Sequence, residues 1–229
     1  ELLTSVTGSS DRAQEAALYH YNKSFRGFSA KLTPEQAQQL AESDSVVSVF
    51  ESRMMQVHTT HSWKFLGISS NHQYSQLQQQ SKSDIIVGVI DTGVWPESNS
   101  FNDKGLGPVP KKFKGKCVTG DNFTLNNCNR KIISARFYLK GYEEAAGPLE
   151  SVGMPFFRSA RDSDGHGTHT ASTVAGSMVT NTSLFGIARG TARGGAPKAR
   201  LAIYKACWFG RCTDADILSA FDDAIDDGV

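Results

Sequence analysis

One short apolar run constrains the fold more than any other part of the sequence. Residues 84–90 read Asp-Ile-Ile-Val-Gly-Val-Ile, an almost unbroken series of β-branched side chains. A strand that is apolar on both faces is typical of a parallel sheet with helices on both sides. The run ends in Asp91-Thr92-Gly93, so it places a carboxylate at the carboxyl end of the strand, where open α/β sheets form their sites.

A second stretch, residues 162–176, reads Asp-Ser-Asp-Gly-His-Gly-Thr-His-Thr-Ala-Ser-Thr-Val-Ala-Gly. Asp and Ser, which often start helices, precede His166, and small residues follow it. The pattern therefore predicts a histidine at the N-terminus of a closely packed helix. The positive end of the helix dipole favours a neutral ring, which can act as a general base. Because a buried Asp91 needs a partner and His166 needs a group that orients it, we predict that the two pair.

Other interpretations of these residues stay open. His166 and His169 are three residues apart and could bind a metal, but no carboxylate lies between them and no third ligand is evident, so no metal site is predicted. We expect His169 to be a buried structural histidine. Asp91 could simply cap a turn. Asp91-Thr92-Gly93 is also the active-site triplet of aspartic proteases, but those enzymes need two such carboxylates and this sequence has one triplet.

The two motifs together resemble a known family. Residues 90–98 (Ile-Asp-Thr-Gly-Val-Trp-Pro-Glu-Ser) and 164–173 (Asp-Gly-His-Gly-Thr-His-Thr-Ala-Ser-Thr) are similar to plant subtilisin-like serine proteases of the cucumisin-like type. The resemblance implies a doubly wound parallel sheet and an Asp-His-Ser triad, found in that chain order in subtilisin, to which this chain contributes Asp91 and His166. No cofactor is implied.

The family's serine lies in a Gly-Thr-Ser-Met segment that does not occur in this sequence. We therefore expect the chain to be an N-terminal fragment of a serine endopeptidase that hydrolyses peptide bonds in polypeptide substrates. A catalytically incompetent fragment that acts only as an inhibitor or binding module is the alternative.

Residues 1–58 are expected to form a small α+β unit. Residues 11–20 favour a short helix, and residues 25–32 alternate like a half-buried strand. A capping Thr33 followed by Pro34 predicts a helix to about residue 44, and a second strand follows at residues 46–50.

This unit resembles the ferredoxin-like inhibitory propeptide of subtilases. The resemblance implies that the chain's own propeptide acts as an intramolecular inhibitor of the enzyme. It places the processing site between His58 and Thr59, and it assigns residues 59–229 to the N-terminal part of the catalytic domain.

The last part of the sequence predicts a strand at residues 199–206 and then an amphipathic helix. In subtilases the segment between them forms one edge on which an extended substrate pairs through main-chain hydrogen bonds. The resemblance therefore implies a substrate-binding role for four residues: Phe209, Gly210, Arg211 and Cys212.

The sequence contains four cysteines, at positions 117, 128, 207 and 212. The resemblance supports a disulfide between Cys117 and Cys128, as a secreted enzyme could use to close a surface loop. Cys207 and Cys212 could be joined through a turn or remain two thiols. Neither spacing fits a zinc knuckle.

Sequons at Asn22, Asn122 and Asn181 favour a secreted glycoprotein, and the resemblance implies an extracellular enzyme of the apoplast or cell wall. The 24 Lys and Arg residues are matched by 23 Asp and Glu residues and are scattered, so no nucleic-acid partner is expected. No apolar run approaches membrane-spanning length, so no membrane partner is expected either.

Overall fold

The structure is a computed structural model that describes residues 1–56 and 85–229. Its helices are α1 (Leu2–Thr7), α2 (Ser10–Ala16), α3 (Pro34–Ala41), α4 (Lys140–Ala146), α5 (His166–Ala175) and α6 (Asp214–Asp227). Its strands are β1 (Ala17–Tyr21), β2 (Gly27–Ala30), β3 (Met54–Gln56), β4 (Ile86–Asp91), β5 (Ile132–Phe137), β6 (Val179–Leu184), β7 (Ile187–Ala192), β8 (Arg200–Lys205), β9 (Cys207–Trp208) and β10 (Arg211–Thr213).

The start of α3 follows from its sequence. Thr33 Oγ1 accepts a hydrogen bond from the Gln36 amide at 3.3 Å, and Gln36 Oε1 accepts one from the Thr33 amide at 3.0 Å. This reciprocal capping box satisfies two amides that the first turn leaves without helical partners, and Pro34 needs no such partner. The predicted helix start is confirmed, although the helix ends at Ala41.

Two other expectations for the N-terminal unit were wrong, the first in part and the second entirely. The helix predicted at residues 11–20 ends at Ala16, because residues 17–21 form β1 and pair antiparallel with β2. Residues 46–50 form no strand, and the side chain of Phe50 is 64% exposed. An alternating apolar pattern does not by itself make a strand, since a strand needs a neighbour to pair with and a surface to cover.

The central sheet is parallel and has the strand order β4-β8-β5. Asp91 at the end of β4 lies opposite Lys205, and Phe137 at the end of β5 lies opposite the same lysine. All three carboxyl ends therefore meet at one edge of the sheet.

Both faces of this sheet are covered by helices. Leu201 and Ile203 of β8 pack in one core with Ala171 and Ala175 of α5. The alternate β8 residues Ala202 and Tyr204 pack in a second core with Ala220 and Ala224 of α6. Helices on opposite faces of a parallel sheet define a doubly wound α/β architecture, which confirms the predicted fold class.

Two further antiparallel hairpins lie in the part of the chain that follows α5. The first joins β6 to β7, and the second joins β9 to β10 through Phe209 and Gly210. Strand β3 of the N-terminal unit pairs antiparallel with β10, so the order in this sheet is β3-β10-β9. Within the described ranges, no helix is long and apolar enough to cross a membrane.

Candidate active site

Asp91 and His166 meet at the carboxyl edge of the parallel sheet. Asp91 is the last residue of β4 and His166 is the first residue of α5. Asp91 Oδ1 lies 2.7 Å from His166 Nδ1, and the two side chains are only 10% and 15% exposed. A carboxylate on Nδ1 holds the proton on that nitrogen, which fixes the ring orientation and assigns proton acceptance to Nε2.

The carboxylate of Asp91 is held by two further hydrogen bonds. The Thr92 amide donates to Oδ1 at 2.6 Å, and Thr170 Oγ1 donates to Oδ2 at 2.9 Å. Thr170 lies one turn beyond His166 on the same helix, so α5 supplies both the imidazole and a donor to its partner. Both carboxylate oxygens are therefore fixed before any substrate binds.

The strand end and the helix start touch through glycine. A Cβ added to Gly167 would overlap the backbone of Thr92 and Gly93, so only glycine allows this approach. The Gly167 amide donates to Thr92 Oγ1 at 2.8 Å. The loop after β4 thus fixes the helix next to His166.

A second buried carboxylate, Asp162, organises the loop before His166. Its Oδ1 accepts from Thr92 Oγ1 at 3.0 Å and from the Gly165 amide at 2.8 Å, and its Oδ2 accepts from the Thr168 amide at 2.9 Å. Burial alone would raise the pKa of Asp162, but hydrogen bonds from Thr168 and the loop amides outweigh it and hold the pKa below its usual value. Asp162 therefore stays ionised and satisfies amides at the start of α5.

A buried lysine lies beneath the same edge. Lys205 Nζ donates to the Arg161 carbonyl at 2.6 Å and sits 4.1 Å from the centre of the Trp208 ring. Burial lowers the pKa of Lys205 to about 8, although Asp162 and Asp164 oppose this shift. Lys205 connects the strand β8 to the loop that precedes the histidine.

The predicted substrate edge lies beside this loop. The Gly210 amide donates to Asp164 Oδ2 at 2.9 Å, which ties the turn of the β9–β10 hairpin to a residue two positions before His166. Phe209 and Gly210 are partly buried, Arg211 is exposed and Cys212 is buried. The edge already carries an extended strand, because Arg211 pairs with Gln56 and Cys212 with Met55.

The structure joins the cysteines in two disulfides, Cys117–Cys128 and Cys207–Cys212. The first closes a loop that carries Asn122, and the second links β9 to β10. Asn122 and Asn181 are both exposed. His58 and Thr59, the predicted processing site, lie outside the described residues.

The expectation for His169 was wrong, because this side chain is exposed on α5 rather than buried. Among the described residues, no group of three or more His, Cys, Asp or Glu side chains could hold a metal ion. Sequence reasoning missed the roles of Thr92, Asp162 and Thr170. A helical spacing of four from His166 is the signal that could have identified Thr170 as facing the same partner.

An Asp-His pair at the carboxyl edge of a doubly wound sheet is the arrangement of enzymes that activate a nucleophile through histidine. Comparison with protein families identifies residues 82–229 as matching the subtilase family. Residues 1–58 match peptidase inhibitor I9. The chain therefore belongs to the subtilase family.

Curated relatives are similar over the whole of this chain. Subtilisin-like serine-protease S of Lotus japonicus is 68% identical over 100% of the chain and 30% of the relative. Two subtilisin-like proteases of Arabidopsis thaliana, SBT3.18 and SBT4.15, are 52% and 50% identical over 100% of the chain and over 30% and 28% of their own lengths. The chain thus spans less than a third of these relatives.

Proposed function

We propose that the full-length protein is a serine endopeptidase in which Asp91 and His166 act as orienting group and general base. The observation that carries this proposal is the 2.7 Å contact between Asp91 Oδ1 and His166 Nδ1 at the carboxyl edge of the sheet. The nucleophilic serine would come from the remaining part of the protein, since the chain covers only 30% of its relative from Lotus.

In this mechanism His166 Nε2 takes the proton from the serine hydroxyl as the oxygen attacks a peptide carbonyl. Asp91 stabilises the imidazolium that forms. His166 then gives the proton to the leaving amine. In the second half of the reaction, His166 takes a proton from water as the water attacks the acyl-enzyme, and it returns this proton to the serine oxygen as the acid is released. The chemistry requires no cofactor.

The test uses the full-length protein and a fluorophosphonate that labels activated serines. Asp91→Asn should lower kcat by about 10⁴-fold, because the ring is then held in the wrong tautomer. His166→Ala should lower kcat by about 10⁶-fold, because the general base is lost.

His169→Ala is the matched control, since His169 is an exposed histidine three residues along the same helix. It should retain wild-type labelling and kcat. Equal labelling of the wild type and His166→Ala would contradict the proposed mechanism.

We also propose that residues 1–58 are an inhibitory propeptide and that residues 59–229 are the N-terminal part of the catalytic domain. The pairing of β3 with β10 supports this division, because the tail of the N-terminal unit runs along the proposed substrate edge. Processing would occur between His58 and Thr59. Residues 1–58 acting as a separate inhibitor remain the second candidate function, which the same contacts favour.

The contacts between the N-terminal unit and α6 are polar and specific. The Asp222 carboxylate accepts from the Lys23 amide at 2.5 Å and the Ser24 amide at 2.8 Å. Tyr19 Oη donates to the buried Asp216 at 2.5 Å. Hydrogen bonds to a carboxylate are stronger than those between neutral groups, so these contacts would retain the unit after cleavage.

N-terminal sequencing of the protein recovered from culture medium tests the division. We expect the large product to begin at Thr59. Activity should appear after a lag that reflects release of the small product, and Asp222→Ala should shorten the lag. A large product that still contains residues 1–58 and is fully active would contradict the inhibitory role.

We propose that the protein is a secreted glycoprotein that acts in the apoplast or cell wall. Two disulfides and the exposed sequon residues Asn122 and Asn181 support this location, because disulfides form and persist in oxidising compartments. Treatment with an endoglycosidase should reduce the apparent mass of the secreted protein, and Asn122→Gln should remove part of that difference.

A further inference from the structure

The strand that occupies the proposed substrate edge also contacts a buried apolar cluster that does not include the Asp-His pair. In the antiparallel register of β3 and β10, Met54 lies opposite Thr213 and Gln56 lies opposite Arg211. Main-chain pairing of this kind is independent of the residue type in the added strand, so selectivity must come from side-chain contacts.

Met54 makes such a contact. It packs against a buried cluster of Tyr142, Leu149 and Trp208, which belongs to neither of the cores that cover the sheet. All three cluster residues are almost completely buried. An apolar side chain of the added strand is therefore partly buried against this cluster.

Phe209 and Phe156 border the same cluster. The Phe209 ring centre lies 6.1 Å from that of Tyr142 and 6.3 Å from that of Phe156, the latter in an edge-to-face arrangement. Aromatic rings at these distances attract one another and form a continuous apolar surface. This surface is contributed by α4, the loop before α5 and the β9–β10 hairpin.

Phe209 occupies a backbone conformation that is unfavourable for an aromatic residue. Its φ is +51° and that of Gly210 is +74°, as in the two-residue hairpin turns that prefer Asn-Gly. A bulky residue with positive φ is strained, but the exposed Phe185 at the turn of the β6–β7 hairpin has a similar φ of +50°. The positive φ therefore belongs to the turn, and what distinguishes Phe209 is that its ring packs on the buried cluster.

We propose that Tyr142, Trp208 and Phe209 form a specificity subsite for a long, unbranched apolar side chain of the peptide substrate, at the strand position opposite Thr213. The inference rests on the proposed protease function and on substrates pairing with β10 as β3 does. Counting from Met54 to His58, the side chain belongs to the fifth residue before the proposed bond. Substrate recognition therefore extends five residues upstream of the cleaved bond.

The experiment uses the processed full-length enzyme and fluorogenic peptides that differ only at this fifth residue. Met and its sulfur-free analogue norleucine should give a kcat/KM about tenfold above that of Ala, as expected for partial burial of one apolar side chain. Asp should be cleaved more slowly than Ala. Equal kcat/KM for Met, Ala and Asp would overturn the subsite.

Phe209→Asn is the informative variant, because asparagine tolerates positive φ and preserves the turn. It should reduce the ratio of kcat/KM for the Met peptide to kcat/KM for the Ala peptide from about ten to about two, since part of the aromatic surface is removed. Phe185→Asn is the matched control: Phe185-Gly186 is the turn of the β6–β7 hairpin, with φ values of +50° and +86°. The control should keep the wild-type ratio. A wild-type ratio in Phe209→Asn would also overturn the subsite.

Failure of the subsite and failure of the proposed function give different results. If a fluorophosphonate labels the enzyme and all peptides are cleaved at equal rates, only the subsite is wrong. If the enzyme is not labelled and cleaves no peptide, the protease function is wrong and the subsite falls with it.

Discussion

Two hairpins of the described structure, β6–β7 and β9–β10, use the same turn residues in opposite environments. The β6–β7 hairpin turns at Phe185-Gly186 and the β9–β10 hairpin at Phe209-Gly210, and all four residues have positive φ. Phe185 is 98% exposed, whereas Phe209 packs on the buried cluster around Trp208. The same dipeptide therefore specifies the turn in both places, and the surroundings decide what the aromatic ring does.

The environment of β9–β10 is built from contacts distant in sequence. The disulfide Cys207–Cys212 joins its two strands, Asp164 accepts from the Gly210 amide, and β3 pairs with its outer edge. At the tip of the β6–β7 hairpin, in contrast, Leu184 and Ile187 are exposed together with Phe185. The local sequence is therefore sufficient to specify the turn of a hairpin, whereas the contacts that could position a substrate come from residues distant in the chain.

Of the changes to the two hairpins, removal of the disulfide of β9–β10 should have the largest effect on stability and on kcat/KM together. Cys207→Ala/Cys212→Ala should lower the free energy of unfolding by about 2 kcal/mol, as loop closure of this length predicts. It should also lower kcat/KM by about tenfold, because the substrate edge is then less well positioned. Urea unfolding and peptide cleavage measure the two effects.

Cys117→Ala/Cys128→Ala is the control for that variant. It removes a disulfide outside the hairpin, so it should reduce stability without a comparable loss of kcat/KM. Equal losses of kcat/KM in both double variants would show that the effect is not specific to the hairpin.

The turn glycines provide the second prediction. Gly210→Ala and Gly186→Ala both place a Cβ at positive φ, which costs about 1–2 kcal/mol. Thermal unfolding should show a loss of stability for each variant. Only Gly210→Ala should also lower kcat/KM, because the Gly210 amide donates to Asp164. A matching loss of kcat/KM in Gly186→Ala would remove the functional difference between the hairpins.

The third prediction concerns the charge beneath β9. Burial lowers the pKa of Lys205 to about 8, while the unfolded chain keeps an ordinary lysine near 10.5. Between these values the unfolded state holds more protons, so the contribution of Lys205 to stability rises with pH, by about 1 kcal/mol from pH 8 to pH 9. The stability difference between wild type and Lys205→Met should change by this amount. A pH-independent difference would contradict the lowered pKa.

The smallest effect is expected for the turn phenylalanines themselves. Phe185→Asn should raise the free energy of unfolding by about 0.5 kcal/mol, because it relieves positive-φ strain and loses no buried surface. Phe209→Asn should lower it by a similar amount, since lost packing outweighs the relief. Urea midpoints that shift in the same direction would show that burial does not distinguish the two turns.

Much of the site could be predicted from sequence because its parts are local. The apolar run before Asp91 is recognisable as a buried strand, and the small residues after His166 as a close-packed helix. The capping box at Thr33 is recognisable for the same reason, since all its atoms lie within one helical turn.

What could not be predicted depends on residues far apart in the chain. Residues 17–20 form a strand instead of the predicted helix because they pair with β2. The pairing of Cys207 with Cys212 was left open by their spacing, and the β3–β10 pairing joins segments more than 150 residues apart. The exposure of His169 was missed because a single histidine carries no information about which helix face meets the sheet.

The contact between Gly167 and Gly93 has a consequence for which substitutions this chain can accept. The backbone of the helix start contacts the backbone just after the strand end, so the distance between Asp91 and His166 is set by the main chain. A larger side chain at Gly167 would have to displace the backbone of Thr92 and Gly93, and the carboxylate and the imidazole would then move apart.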